Sequence, residues 1–149
     1  MSINREVFDH DISEAIDYFT KLTNDAVSQT NLNELKGKAL AGFTYAENNH
    51  DQLALDYLQN FSNQLRNLML AKKQTDNIEN LQPQIDNLIR SAALPAELSV
   101  RIPKVSIGQV VGGIVGGIVG IIVGTVFGAI AGLLGLIQGS GPSISLKPA

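Results

Sequence analysis

The chain has 149 residues, of which 44% are apolar, and this is the size and composition of one ordinary domain. It contains no cysteine, which excludes disulfides, thiolate metal sites and cysteine nucleophiles. Residues 1–100 hold all fourteen acidic residues against eight of the eleven basic ones, so the formal net charge of -3 is unevenly distributed. We therefore predict an acidic head joined to an apolar tail, and a head without a basic face is not expected to bind nucleic acid.

Residues 1–93 show the spacing of amphipathic helices. From Ile3 to about Ser28, apolar residues recur at intervals of three and four, which is the period of one buried helical face. The members of this face are Val7, Phe8, Ile12, Ala15, Ile16, Phe19, Leu22, Ala26 and Val27. No stretch before position 94 alternates with period two, so we predict a small all-α helical bundle.

Asparagine and aspartate residues mark the next boundaries. Asn31 and Asn33 are predicted caps of a second helix, because a side-chain oxygen at that place accepts a backbone N–H of the first turn. Asn48 and Asn49 indicate the turn that ends this helix, since asparagine tolerates the left-handed conformation found there. A third helix is predicted over residues 51–73.

Prolines organise the last part of the head and the connection to the tail. A fourth helix is predicted over residues 76–93, where Pro83 marks either a kink or the first turn of a shorter helix. Residues 94–104 are predicted to form a hinge, because Pro95 and Pro103 each remove a helical N–H donor and bias the preceding residue toward an extended conformation.

The segment 105–137 is apolar and carries a glycine ladder. From Val110 to Ile137 the only polar side chain is Thr125. A helix over those residues would be about 42 Å long, which exceeds the roughly 30 Å hydrocarbon core of a bilayer. Glycine recurs every four residues without interruption, at Gly108, Gly112, Gly116, Gly120, Gly124, Gly128 and Gly132.

The glycines are costly for a membrane helix. Nine of them lie between Val110 and Ile137, and each destabilises a helix by roughly 1 kcal/mol relative to alanine. The sixteen Val, Ile, Leu and Phe residues of the same stretch favour insertion by about 5–10 kcal/mol in total, so the cost and the gain are similar. Close approach of another helix offsets this cost, because small residues let two backbones pack together. Each rung is displaced by about 40° from the last, so a crossing pair or several neighbours fit the ladder better than one straight partner. Both a single long, tilted helix and a hairpin of two short limbs are compatible with the segment.

The ladder resembles that of the glycine-zipper membrane proteins, which include pore-forming toxins, channel subunits and bacterial envelope proteins. The resemblance covers about a quarter of the chain and implies that the tail associates with itself as a homo-oligomer, with a pore as one outcome. Arg101 and Lys104 precede the span, where basic side chains meet lipid headgroups. Residues 138–149, which are rich in Gly, Ser and Pro, are predicted to be a flexible tail.

The leading hypothesis is a membrane-inserting protein of the toxin or secreted-effector type, whose tail oligomerises and permeabilises or perturbs a bilayer. The alternative is an adapter or scaffold with a C-terminal anchor, whose head binds a protein partner. In a third hypothesis the head or a chaperone covers the tail in a soluble state, and Pro95 and Pro103 form the hinge for its release. A β fibril of the GGIV repeats is a fourth, although unpaired sheet edges exclude it from lipid.

The N-terminus has no apolar run typical of a secretory signal peptide, so a dedicated secretion route is the expectation if the protein leaves its cell. We predict no enzymatic activity and no cofactor, because no nucleophile-elbow or phosphate-loop sequence is present. One helical face carries ionisable side chains at four-residue steps, at Glu6, His10 and Glu14. Two interpretations fit this spacing: a site for a divalent metal ion, or a solvated charged face. His50 is interpreted as a turn residue.

Overall fold

The chain folds into five helices in a computed structural model that describes residues 5–95, 98, 101–102 and 105–134. For residues 101–102, 105 and 125–134 the description concerns the backbone. The helices are α1 (Arg5–Lys21), α2 (Ala26–Asn48), α3 (Gln52–Gln74), α4 (Ile78–Ser91) and α5 (Ile107–Leu134). Two short strands, β1 (Arg101–Ile102) and β2 (Val105–Ser106), pair antiparallel just before α5. The predicted all-α fold class is confirmed.

The boundary between α1 and α2 differs from the prediction. Asp25 caps α2, since its carboxylate accepts hydrogen bonds from the Val27 N–H at 3.2 Å and the Ser28 hydroxyl at 2.6 Å. These two donors lower the pKa of Asp25, the serine hydroxyl more than the backbone N–H. The predicted extension of the first helix to Ser28 and the caps at Asn31 and Asn33 are therefore wrong, because a stronger cap lies upstream of both asparagines.

The early start of α2 also changes which apolar side chains are buried. Val27 is 66% exposed and Ala26 is exposed, because the chain turns before both residues and starts a new helix with a different orientation. Val7 is 50% exposed as well. Of the remaining six members of the predicted first face, Leu22 is partly buried and five are fully buried in the core: Phe8, Ile12, Ala15, Ile16 and Phe19.

The turn between α2 and α3 is built on one residue with a positive φ. His50 has φ 53°, whereas the preceding Asn49 has φ -100° and donates its backbone N–H to the Tyr45 carbonyl at 3.1 Å. Asp51 then caps α3 by accepting the Ala54 N–H at 3.1 Å. His50 is thus the turn residue in the left-handed conformation that was predicted for the asparagines.

Replacing His50 with glycine is expected to raise the free energy of unfolding by about 0.5–1 kcal/mol, because relief of the Cβ clash at positive φ exceeds the entropy that glycine adds to the unfolded chain. Urea unfolding followed by circular dichroism measures the effect. Asn49→Gly is the control at a negative φ. It adds similar entropy to the unfolded chain and also removes the 2.8 Å hydrogen bond from the Asn49 side-chain amide to the Tyr45 carbonyl, so it should destabilise. Equal shifts in both variants would contradict a steric cost at position 50.

Helix α4 keeps its proline inside. Asn77 caps the helix by accepting the Glu79 N–H at 2.9 Å, and Pro83 lies within the continuous helix that follows. The alternative of a shorter helix starting at Pro83 is therefore wrong. Since proline has no N–H, the Glu79 carbonyl receives no hydrogen bond from position 83.

The core is one cluster to which all five described helices contribute, and α5 contacts the bundle of the other four mainly through α2. Within this core the ring of Phe8 stacks on that of Phe43 with 4.5 Å between ring centroids. Large, fully buried side chains of α1, α3 and α4 belong to it as well, including Phe19, Phe61, Leu65, Leu68 and Leu81. The head is thus a bundle of four helices whose core is extended by the Ile and Val side chains of α5.

Candidate functional site: the glycine-rich helix and its contact with the head

Helix α5 starts with a reciprocal cap. The Ser106 hydroxyl accepts the Gln109 N–H at 3.2 Å, and the Gln109 side-chain carbonyl accepts the Ser106 N–H at 3.3 Å. This Ser-x-x-Gln arrangement satisfies two backbone donors that a helix start leaves without intrahelical partners. The signal is readable in the sequence but was not part of the prediction, which concentrated on the glycines that follow.

The helix runs without a break over 28 residues, Ile107–Leu134. In this conformation the segment is one helix and not a hairpin of two limbs. Among the described residues α5 is the one helix that is long and apolar enough to cross a membrane, a test that a buried core helix of a soluble protein also passes.

Over Ile107–Gly124 the helix divides into two faces. Every Ile and Val side chain of this stretch is buried, with at most 6% exposed. The positions that are not buried are Gln109 and the seven glycines. At 100° per residue, the glycines from Gly112 to Gly124 fall within about 140° of the helix circumference. This side of α5 therefore carries no apolar side chain, so all ten Ile and Val side chains of the stretch are buried while the glycine side stays partly exposed.

Two glycines make close contact with α2. A Cβ atom placed on Gly113 would lie 2.9 Å from Leu35 Cδ1, and one placed on Gly117 would lie 3.0 Å from Leu32 Cδ2. Real Cβ atoms are rarely so near another carbon, so the leucine side chains take their present positions because these two residues of α5 have no side chain. We call these two glycines and two leucines the α2–α5 contact.

The predicted ladder lies elsewhere on the helix. A Cβ placed on Gly112, Gly116, Gly120 or Gly124 would meet nothing within 4 Å, and one on Gly108 would lie 3.4 Å from Leu94 Cδ2. The side-chain surroundings of Gly128 and Gly132 lie outside the described residues. The close contact within the chain thus uses a second, shorter glycine register, which the Gly-Gly doublets at 112–113 and 116–117 contain and which the sequence analysis did not separate from the first.

Two open clefts lie along the contact between α2 and α5. A cleft of about 540 Å³ lies between the loop that precedes α2 and the glycine side of α5, with Asp25, Ser28 and Gly120 in its walls. A second cleft of about 410 Å³ lies at the α2–α5 contact itself, because Leu32, Leu35, Gly113 and Gly117 are all in its walls. The first half of α2 is therefore only loosely packed against α5.

The connection from α4 to α5 is tied to the head at its beginning. The Tyr57 hydroxyl donates a 2.7 Å hydrogen bond to the carbonyl of Ala92, one residue after α4 ends. Burial raises the pKa of Tyr57 to about 12. The Pro95 carbonyl then accepts the Leu98 N–H at 2.9 Å, and Leu98 is 3% exposed. Of the other predicted hinge and interface residues, Pro103 and Lys104 lie outside the described residues, and Arg101 is described by its backbone in β1.

Tyr57→Phe is expected to lower the free energy of unfolding by about 1 kcal/mol, because the variant loses the hydrogen bond to the Ala92 carbonyl. The folded-state pKa of Tyr57 lies above its ordinary value of 10, so the neutral form contributes stability below about pH 10 that is lost as pH rises toward about 12. Denaturant unfolding of wild type and variant over this interval checks the sign. The stability of the variant should fall less steeply with pH, and parallel curves would contradict the role of Tyr57.

The weak metal candidates form no site. His10 Nδ1 lies 3.3 Å from Asp11 Oδ1, and Arg66 Nε lies 3.6 Å from Glu14 Oε1 and 3.9 Å from Asp11 Oδ1. The guanidinium of Arg66 thus occupies the position next to the Glu14 carboxylate that a divalent ion would need. Across the part of the chain that the structure describes, no group of three His, Cys, Asp or Glu side chains could hold a metal ion, so Glu6, His10 and Glu14 are not brought together as ligands.

Comparison of the chain with protein-family models, with curated proteins and with solved structures gave no match.

Proposed function

We propose that this is a membrane-inserting protein that stores its apolar helix α5 on a helical head, and whose released helix enters a bilayer and oligomerises through its glycine ladder. The observation that carries the proposal is the division of α5 into two faces. Ten apolar side chains between Ile107 and Val123 are covered, and the uncovered side is glycine. Such a helix can pack against a folded head through its apolar side chains, and it can present the same side chains to lipid.

The length of α5 supports insertion. Its 28 residues correspond to about 42 Å, enough to cross a hydrocarbon core of about 30 Å with some tilt. In lipid the Ile and Val side chains that now face the head would face acyl chains at little cost. The backbone hydrogen bonds of a helix are satisfied internally, so the exposed glycine face needs no water.

The position of the ladder supports self-association. A Cβ placed on Gly112, Gly116, Gly120 or Gly124 would meet nothing within 4 Å while α5 lies on the head, so these four glycines are not used for close packing within the described chain. In a bilayer, glycine at every fourth position allows the backbone of a second helix to approach closely. Oligomerisation between copies of α5 follows as the proposed consequence, and permeabilisation of the bilayer as its functional outcome.

Full-length protein mixed with dye-loaded lipid vesicles tests this function. Sedimentation with the vesicles measures binding, resistance of α5 to added protease measures insertion, and dye release measures permeabilisation. Insertion with release is the expected result. Insertion without release would favour the adapter with a C-terminal anchor, and a protein that stays off vesicles at every lipid ratio would identify α5 as the core helix of a soluble protein.

Replacing Gly116, Gly120 and Gly124 together with leucine is expected to weaken self-association, because the side chains fill the face on which a second helix would pack. The same change should strengthen binding to vesicles, since each leucine favours insertion by about 0.5 kcal/mol. Crosslinking of vesicle-bound protein measures the first effect and sedimentation the second. Unchanged crosslinking would remove the ladder from the proposed oligomer.

A further inference from the structure

We propose that the α2–α5 contact, made by Leu32 and Leu35 on one side and Gly113 and Gly117 on the other, is the latch that controls release of α5. The inference rests on the proposed function and adds its regulation. It assigns different roles to two glycine registers of one helix. Gly113 and Gly117 hold the stored state, whereas the ladder that contains Gly112 and Gly116 serves the inserted state.

The first argument is the narrowness of the contact. In the described stretch from Ala26 to Lys38, Leu32 is the one buried residue, and Leu35 is partly buried. The rest of this half of α2 is exposed or half-buried, and the two leucines themselves border an open cleft of about 410 Å³. The two leucines are therefore the points at which this half of α2 is anchored to α5.

The second argument is the tight fit at these points. Cβ atoms on Gly113 and Gly117 would come within 2.9 Å and 3.0 Å of the leucine methyl groups. A single added methyl group meets the end of a flexible leucine side chain, which can rotate away. A whole leucine side chain at either position would have to displace Leu35 or Leu32 from its place against α5, so the α2–α5 contact could not form as it stands.

The third argument is that neighbouring positions lack this fit. Cβ atoms on Gly112 and Gly116, each one residue away, meet nothing within 4 Å. The same substitution is therefore disruptive in one register and tolerated in the other. Because two neighbouring glycines can be replaced in each register of the same helix, the two double variants form a matched pair for experiment.

The first experiment compares the double variant Gly113→Leu/Gly117→Leu with Gly112→Leu/Gly116→Leu. The two proteins have the same composition, the same added helix propensity and the same added affinity of α5 for lipid. Hydrogen exchange of α5 amides in vesicle-free solution reports detachment, and vesicle sedimentation reports release. We expect faster exchange and stronger vesicle binding in the 113/117 variant, on the order of tenfold, which corresponds to about 1.4 kcal/mol.

The second experiment closes the latch instead of opening it, so it does not depend on a disruptive substitution. The natural chain has no cysteine, which makes an introduced pair unique. The Leu32 Cγ atom, whose place a cysteine sulfur would take, lies 3.4 Å from a Cβ on Gly117. In a disulfide the distance from one sulfur to the Cβ atom of the other cysteine is about 3 Å, so a small adjustment closes the bond. Oxidised Leu32→Cys/Gly117→Cys protein should bind vesicles about tenfold less than the same protein after reduction.

The outcomes separate the latch from the membrane function. Equal hydrogen exchange in the two leucine variants, or equal vesicle binding by the oxidised and reduced cysteine protein, would overturn the latch. If exchange follows the expected order but neither wild type, the leucine variants nor the reduced protein binds vesicles, the proposed membrane function is wrong and the latch loses its role in release.

Discussion

Replacing Phe43 with alanine is expected to lower the free energy of unfolding of the head by about 3–5 kcal/mol, since the change removes a large buried ring and leaves a cavity. Phe43 is fully buried, and its ring stacks on Phe8 with 4.5 Å between centroids. It links α2 to α1 at the centre of the core. Denaturant unfolding measured by circular dichroism gives the magnitude.

Tyr45→Ala is the matched control for this change. Tyr45 lies two residues from Phe43 on the same helix, but it is 46% exposed. An aromatic ring is removed in both variants, so the difference between them isolates burial from helix propensity. A loss below about 1 kcal/mol is expected for Tyr45→Ala, and similar losses in the two variants would contradict a core centred on Phe43.

Ile118→Lys is expected to detach α5 from the head. Ile118 is fully buried on the face of α5 that is covered in the folded chain, and an unpaired ammonium group there costs about 3–5 kcal/mol or is driven to its neutral form. Hydrogen exchange of α5 amides should rise strongly, whereas the amides of α1 and α3, which pack on each other, should remain protected.

Gly120→Lys separates this effect from the effect of a charge in lipid. A Cβ on Gly120 meets nothing within 4 Å, and Asp25 lines the same cleft, so the lysine has space and an anionic neighbour in the soluble protein. The solution stability should change by less than about 0.5 kcal/mol. Near the centre of an inserted helix the same lysine costs about 3 kcal/mol, so vesicle binding should fall by about a hundredfold.

The result for Gly120→Lys bears directly on the proposed function. Weak vesicle binding by a variant with an intact fold indicates that the middle of α5 enters the hydrocarbon core. Unchanged binding would show that lipid contact, if there is any, uses another part of the chain. Wild-type protein and Gly120→Lys compared on the same vesicles provide the measurement.

Much of the head was predictable from local signals. The third helix was predicted over residues 51–73 and is observed over Gln52–Gln74, because Asp51 is a strong cap next to a regular apolar stripe. The boundary between α1 and α2 was misplaced because the apolar period continues through the turn. Asp25 and its bond to Ser28 decide the boundary, and one capping side chain outweighs a periodic pattern at that place.

For the glycine segment, the sequence does not predict which residues make the close contact. Its apolar character and its suitability for close packing follow from the sequence alone, since they depend on apolar content and on the four-residue period. That it forms one helix over Ile107–Leu134 and not a hairpin is decided by the structure. Which glycines make a close contact does not follow, because Gly112 and Gly113 are equally small. Their directions differ by 100° around the helix axis. Which of the two directions faces another helix depends on where that second helix lies.

The sequence by itself therefore determined an acidic all-α head, an apolar glycine-rich segment after it and, to within one residue, the limits of the third helix. The tertiary structure decided that this helix lies on the head with its Ile and Val side chains covered, and that Leu32 and Leu35 contact Gly113 and Gly117. Local periodicity fixes which residues share a face, but the partner of a face depends on contacts between residues that are distant in the chain. For α5 that partner is α2, about 80 residues upstream.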